Sequence, residues 1–212
     1  MASSQGILLL SGSLIFISYW LDMLDGFFAR KLKATSEFGL NLDSLTDMVA
    51  LGVAPTLLVF QHLRLQGANL IWVTPMVILI PLAGGFRLAR FNTLPAKLTS
   101  NSKSLGLTIS HSGFTLALAV LADNLQPGGF LPILVYFPLV ILLGVMMISR
   151  IPFLPSQWFF KEHKLGWVLL GSLLLLLFIL PLFSVWFIVY IVYILVSTVR
   201  ALILKLRPGL QA

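Results

Sequence analysis

The chain has no cysteine, and only 10% of its 212 residues are charged. The first absence removes disulfides, thiolate nucleophiles and cysteine-held metals, which leaves oxygen ligands as the metal chemistry open to it. The second, set beside 58% hydrophobic residues, takes the chain outside the range of an ordinary soluble domain. Long polar stretches are missing as well, because apolar runs able to cross about 30 Å of hydrocarbon follow one another along the whole length. A cleavable leader is not expected: the first apolar run has no basic segment before it and leads straight into Asp22 and Asp25. The composition therefore predicts an all-α fold, a polytopic transmembrane helix bundle forming a single domain over residues 1–212.

Acidic residues are also scarce, seven against fourteen Lys and Arg, for a net charge of +7. Such an excess can signal nucleic acid, but here the basic residues sit at the ends of apolar runs and not on a soluble face, so no nucleic-acid partner is expected. Seven spans are predicted, over 7–23, 37–61, 68–90, 106–123, 131–149, 165–182 and 184–205. This division places thirteen of the fourteen basic residues on one side and leaves only Arg64 opposite, which the positive-inside rule reads as the cytoplasmic side. The N-terminus then lies outside. The connection 92–105 reads as a cytoplasmic loop, and the stretch 150–164, with Trp158 and Lys161, as an interfacial segment. Pro75, Pro81, Pro138 and Pro181 fall within spans or at their ends and predict kinks.

Four of the seven acids crowd into one short stretch: Asp22, Asp25, Asp43 and Asp47. Carboxylates at the edge of membrane helices are costly and mark ion, proton or substrate sites. Spacings of three and four residues put each pair on one helix face, so two helices can aim four carboxylates at one point. Anions this close repel one another, and hard divalent cations such as Mg²⁺ or Mn²⁺ resolve the conflict; a pair of them can clamp a transferring phosphoryl group. Gly26 and Gly39 allow a bulky ligand close to the backbone, Ala29 is similarly small, and Arg30 offers a forked donor suited to phosphate.

These residues spell Asp-x2-Asp-Gly-x2-Ala-Arg-x8-Gly-x3-Asp-x3-Asp, from Asp22 to Asp47. The pattern resembles the signature of the CDP-alcohol phosphotransferase family at every defined position. The resemblance implies an integral membrane enzyme that joins a CDP-linked lipid or alcohol to an acceptor hydroxyl and releases CMP. It implies metal binding by Asp22, Asp25, Asp43 and Asp47 with Mg²⁺ or Mn²⁺, two ions, and a general base at Asp47. Asp22, Gly26, Ala29, Arg30 and Gly39 would line the CDP pocket. Ser36 to Asp47, then Gly52-Val53-Ala54-Pro55 and Phe86 to Asn92, look like the phosphatidylserine synthase branch, with a fainter echo in Met146 to Arg150. That branch implies CDP-diacylglycerol as donor, L-serine as acceptor, phospholipid biosynthesis in the cytoplasmic membrane with the site facing the cytoplasm, and a homodimer.

Two departures bear on these expectations. The branch usually carries Gly-Leu-Pro, small residues and another proline where this chain has Gly106-Leu107-Thr108-Ile109-Ser110-His111, so an acceptor other than serine, glycerol 3-phosphate or inositol phosphate among them, stays open. The family also has a helix before the one bearing the first aspartates, which would make eight spans; on that reading the chain lacks the family's first helix, and an inactive fragment is an alternative. A third alternative, from a different class, is a cation transporter. A serine acceptor carries a carboxylate, for which Arg87, Arg90 and Arg150 are the candidate partners, each also readable as a helix-end anchor. His111 is expected to be a satisfied polar residue at a helix start, His62 interfacial, Asp123 a helix-end charge and Trp20 an interface anchor.

Overall fold

The computed structural model describes residues 2–32, 36–93, 105–151 and 182–206. Every regular element among them is helical: α1 (Ala2–Lys31), α2 (Glu37–Asp47), a π-helical segment (Met48–Val53), α3 (Ala54–Leu65), α4 (Leu70–Asn92), α5 (Ile109–Leu125), α6 (Ile133–Ile148) and α7 (Leu182–Leu206). Six of the seven predicted spans coincide with these elements, α2 to α3 counting as one run of helix; nearly all of the span 165–182, the stretch 150–164 beyond Ile151 and most of the connection 92–105 lie outside the described residues. The runs Ser4–Asp25, Glu37–Leu65, Leu70–Asn92 and Phe183–Ala201 are long and apolar enough to cross a membrane, and Ile133–Ile148 is a shorter apolar helix. The protein is an all-α integral membrane bundle.

α1 shows how the sequence sets both its faces. Leu8, Gly12, Ile15 and Tyr19 form the buried stripe, while Ile7, Leu10, Leu14, Ile17 and Leu21 recur at helical spacing on the exposed side. A helix apolar on both sides suits lipid on one and protein on the other. The helix also runs to Lys31, eight residues past the predicted span, since nothing in the chain stops it where the apolar run ends.

α5 is the centre of the bundle. Every residue from Ser112 to Asp123 is buried, and the helix packs against α1, α3, α6, α7 and the π segment. Small residues make this possible by letting backbones approach. At Gly113 the approach is tightest: any side chain there would collide with the Leu51 carbonyl of the π segment. The prolines Pro75 and Pro81 lie inside α4 and Pro138 inside α6.

Helix ends explain how the bundle is tied. Ser36 caps α2 by accepting the Gly39 amide at 3.0 Å, Asn69 caps α4 by accepting the Ile71 amide at 2.9 Å, and Thr108 caps α5 by accepting the His111 amide at 3.2 Å. At the far end of α5, Asp123 is buried rather than a solvated helix-end charge. The Pro127-Gly128-Gly129 turn, with both glycines at positive φ, folds the chain back so that the Phe130 and Leu131 amides donate to its carboxylate. Gln66 also donates to it at 2.8 Å, and His62 lies 2.7 Å away. His62 is thus a core residue and not an interfacial one, only 3% exposed, with Asn124 on its other ring nitrogen at 3.2 Å.

Candidate active site

Tyr19 and Asp22 are three residues apart, so Asp22 continues the stripe of α1 that packs on α5. This is why it is half-buried, whereas Asp25, one turn further on, is exposed. On α2, Asp43 is exposed and Asp47, at the junction with the π segment, is half-buried. Carboxylate oxygens of Asp22, Asp25 and Asp43 lie within 4.8 Å of one another. Asp47 lies near enough to Asp22 for the two carboxylates to interact. All four aspartates singled out in the sequence therefore meet at one end of the bundle, drawn from two helices.

The cluster fits a hard divalent cation on the chemistry of its donors. Carboxylate oxygens suit Mg²⁺ and Mn²⁺, and three of them converge closely enough to share an ion. Four carboxylates brought this close repel one another, and a divalent cation placed among them relieves that repulsion.

Gly26, Ala29 and Arg30 follow Asp22 on the unbroken backbone of α1. Gly39 lies exposed in the first turn of α2, its amide held by Ser36, with Glu37 beside it at the positive end of the helix. The glycine and alanine positions named from the sequence thus flank the carboxylates on both helices.

The three arginines separate. Arg87, on α4, is buried and close enough to Asp47 and to Arg90 to interact with both charges. Arg90 is committed to the backbone: its guanidinium donates to the carbonyls of Ile148 at 3.0 Å, Leu105 at 3.1 Å and Ser149 at 3.2 Å, tying the end of α6 to the segment that leads into α5. That segment is held further by Gly106 donating to Ile151 at 2.9 Å and Leu107 to Met146 at 3.0 Å. Arg150 is exposed just beyond α6.

Further residues surround the site, some of them, Tyr19, Tyr190 and Tyr193, not singled out by the sequence. Ser110, in the first turn of α5, places its hydroxyl 3.4 Å from Asp47 and also faces Asp22. His111, next to it, is packed among Tyr19, Tyr190 and Tyr193, with ring centroids 6.0, 5.7 and 5.4 Å away, and its Nδ1 meets the Thr108 hydroxyl at 2.5 Å. The expectation of a satisfied polar residue at a helix start holds for it. Trp20 is half-buried against Phe16, Phe114 and Trp186, a packing residue more than an interface anchor. The one sequence signal for Tyr19 was its place one turn before Asp22; α7 offered no comparable signal for Tyr190 and Tyr193.

Residues 1–149 match the family model described as CDP-alcohol phosphatidyltransferase. The chain is 37% identical over 151 residues to a CDP-diacylglycerol–serine O-phosphatidyltransferase of Methanocaldococcus jannaschii, an alignment covering 69% of this chain and 65% of that relative. It is 32% identical over 185 residues to the enzyme of the same name from Helicobacter pylori, covering 85% and 76%. With an archaetidylserine synthase of Methanothermobacter thermautotrophicus the identity is 33% over 144 residues, covering 66% and 56%. The chain thus spans just under two thirds of the Methanocaldococcus relative and little more than half of the Methanothermobacter one.

Proposed function

Because the chain belongs to the CDP-alcohol phosphatidyltransferase family, we propose that it transfers the phosphatidyl group of CDP-diacylglycerol to the hydroxyl of L-serine, forming phosphatidylserine and releasing CMP. The observation that carries this reading is the meeting of Asp22, Asp25 and Asp43 within 4.8 Å, with Asp47 beside them, in a chain whose relatives bear that activity in their names.

Asp47 is the general base. A serine hydroxyl is a weak nucleophile at neutral pH, so it gives its proton to Asp47 as its oxygen bonds to the lipid-bearing phosphorus. The bond from that phosphorus to the bridging oxygen of the diphosphate breaks, and the electron pair leaves with CMP. A pair of Mg²⁺ or Mn²⁺ ions held by Asp22, Asp25, Asp43 and Asp47 would supply neutralisation of the diphosphate charge. Gly26, Ala29, Arg30 and Gly39, with Asp22, receive the CDP moiety. Arg87 receives the carboxylate of serine, since it is the buried cation beside Asp47. Arg90 serves by holding the lead-in to α5, and Arg150 is left as an outer contact.

The reading carries with it a homodimer in the cytoplasmic membrane, with the carboxylate end on the cytoplasmic side, and a single domain over the chain. Clustering of the four aspartates at one end argues against a cation transporter, whose carboxylates would line a path through the membrane depth. A second acceptor within the same chemistry, glycerol 3-phosphate or inositol phosphate, is favoured by the segment Thr108 to His111, which lies at the site. The test is CMP release by purified protein with CDP-diacylglycerol and Mg²⁺ or Mn²⁺, comparing L-serine, glycerol 3-phosphate, inositol phosphate and no acceptor. Release that requires serine supports the reading, release with another acceptor moves the function within the family, and none with any acceptor overturns it.

A further inference from the structure

Asp22 and Asp47 come from different helices, so nothing in the chain's local geometry fixes the gap between their carboxylates. The first turn of α5 lies beside that gap, and four residues in and around it hold it in place. Ile109 drives its side-chain tip into a space left by Gly52 of the π segment and Gly84 of α4, where added side chains would meet it. His111 is enclosed by Tyr19, Tyr190 and Tyr193. One turn on, Gly113 rests against the Leu51 carbonyl, and Arg90 pins the lead-in at the carbonyl of Leu105.

A turn so constrained fixes the backbone from which the Ser110 side chain extends. Ser110 is half-buried, and its hydroxyl lies 3.4 Å from Asp47 Oδ2 and near enough to Asp22 to interact with it. The turn is also the positive end of a buried helix, which favours the two anions it faces. We propose that Ser110 is a positioning residue: its hydroxyl, presented by the fixed first turn of α5, sets the separation of the Asp22 and Asp47 carboxylates and so shapes the cation site they share with Asp25 and Asp43. A hydroxyl can do this from either side, donating its one hydrogen to one carboxylate and turning to the other when a cation draws the first away. The proposal rests on the cation-dependent transferase reading given above.

The experiment titrates Mn²⁺ into the detergent-purified protein, reading free Mn²⁺ by its electron paramagnetic resonance signal, and measures CMP release in parallel. The proteins are wild type, Ser110→Ala, Ser110→Thr and Ser110→Cys. Removing one hydrogen bond to a charged group should weaken Mn²⁺ binding about three- to tenfold in Ser110→Ala and lower kcat by a similar factor with KM for the acceptor unchanged. Ser110→Thr, which keeps the hydroxyl, should stay within about twofold of wild type on the same grounds. Should Ser110→Ala fail to fold, Ser110→Cys keeps the volume, lacks a strong donor and is expected to show the same loss. Equal Mn²⁺ binding and equal turnover in the Ala or Cys variant would overturn the proposal, as would equal losses in Ala and Thr. A raised acceptor KM with unchanged Mn²⁺ binding would overturn it too, by making Ser110 an acceptor contact. Wild-type protein that binds no Mn²⁺ and releases no CMP would overturn the transferase reading itself, and this inference with it.

Discussion

Tyr190 donates its phenolic hydrogen to the oxygen of Tyr19 at 2.5 Å, joining α7 to α1 one turn before Asp22. Both rings also pack on Phe114, Tyr19 in a stacked geometry with centroids 4.0 Å apart and Tyr190 tilted at 4.7 Å. A helix beyond the region matched by the family model thereby supports the helix that carries the first two aspartates.

Tyr190→Phe keeps the ring and removes this bond, leaving the Tyr19 oxygen without its donor in a buried place. The expected cost is about 1 kcal/mol of stability. Because Asp22 sits on the same stripe of α1, turnover should fall modestly as well. Thermal unfolding and CMP release of Tyr190→Phe, Tyr19→Phe and the double variant check this; the two single losses should not add, since each removes the same bond.

Asp47→Asn keeps the shape of the side chain and removes the base. Turnover should drop by a factor of roughly 10² to 10⁴. Chelation with EDTA should silence the wild type and added Mn²⁺ restore it, whereas Asp47→Asn should stay inactive at any Mn²⁺ concentration. CMP release measures both, and a variant that retains half its activity would remove Asp47 from its role as base.

Arg87 and Arg90 lie three residues apart on α4 and should give opposite phenotypes. Arg90→Lys exchanges a fork reaching three carbonyls for a point donor, so the end of α6 and the lead-in to α5 lose partners, and the protein should be less stable by about 2 kcal/mol. Its KM for serine should change little. Arg87→Lys keeps the charge but loses bidentate geometry towards a carboxylate, and KM for serine should rise about tenfold. Steady-state kinetics with a melting curve for each variant separates the two.

Asp123→Ala tests the far end of the bundle. It strips four donors or partners, the amides of Phe130 and Leu131 and the side chains of Gln66 and His62, of a buried carboxylate. The loss should approach 3 kcal/mol, about what breaking a buried charged network costs. From Asp47 to His62 the chain climbs fifteen residues of helix, roughly 22 Å, so KM and kcat of the protein that remains folded should match wild type. Kinetics at low temperature beside a thermal melt check both halves of the prediction.

Much of this was legible from particular residues. The apolar runs located six spans, since a membrane demands length and hydrophobicity that show directly in sequence, and the spacing of Asp22, Asp25, Asp43 and Asp47 located the site because helical periodicity puts such residues on one face. Asp123 and His62 misled for a physical reason: a lone acid at a helix end looks solvated until a Gly-Gly turn several residues later returns two amides to it. Ser110 meets Asp47 across 63 positions of sequence, a contact made by the crossing of α5 over the π segment. Arg90 looked like Arg87 because both are arginines one turn apart; only the end of α6, far along the chain, shows that Arg90 is tied to backbone carbonyls there.

The π segment has a bearing on how this protein could have changed over time. Each residue of an α-helix turns the chain by about 100°, so one residue more or less between Asp47 and Ala54 would rotate everything before it relative to everything after. The wider coil of Met48–Val53 absorbs such a residue, as π-bulges do. It acts as a phase adjuster between a half-helix answerable to ligand and a half-helix answerable to packing. Pro55, Leu58, Val59 and Leu63 can therefore keep facing the core while Asp43 and Asp47 face the other aspartates, and substitutions on one half need not be matched by a rotation of the other.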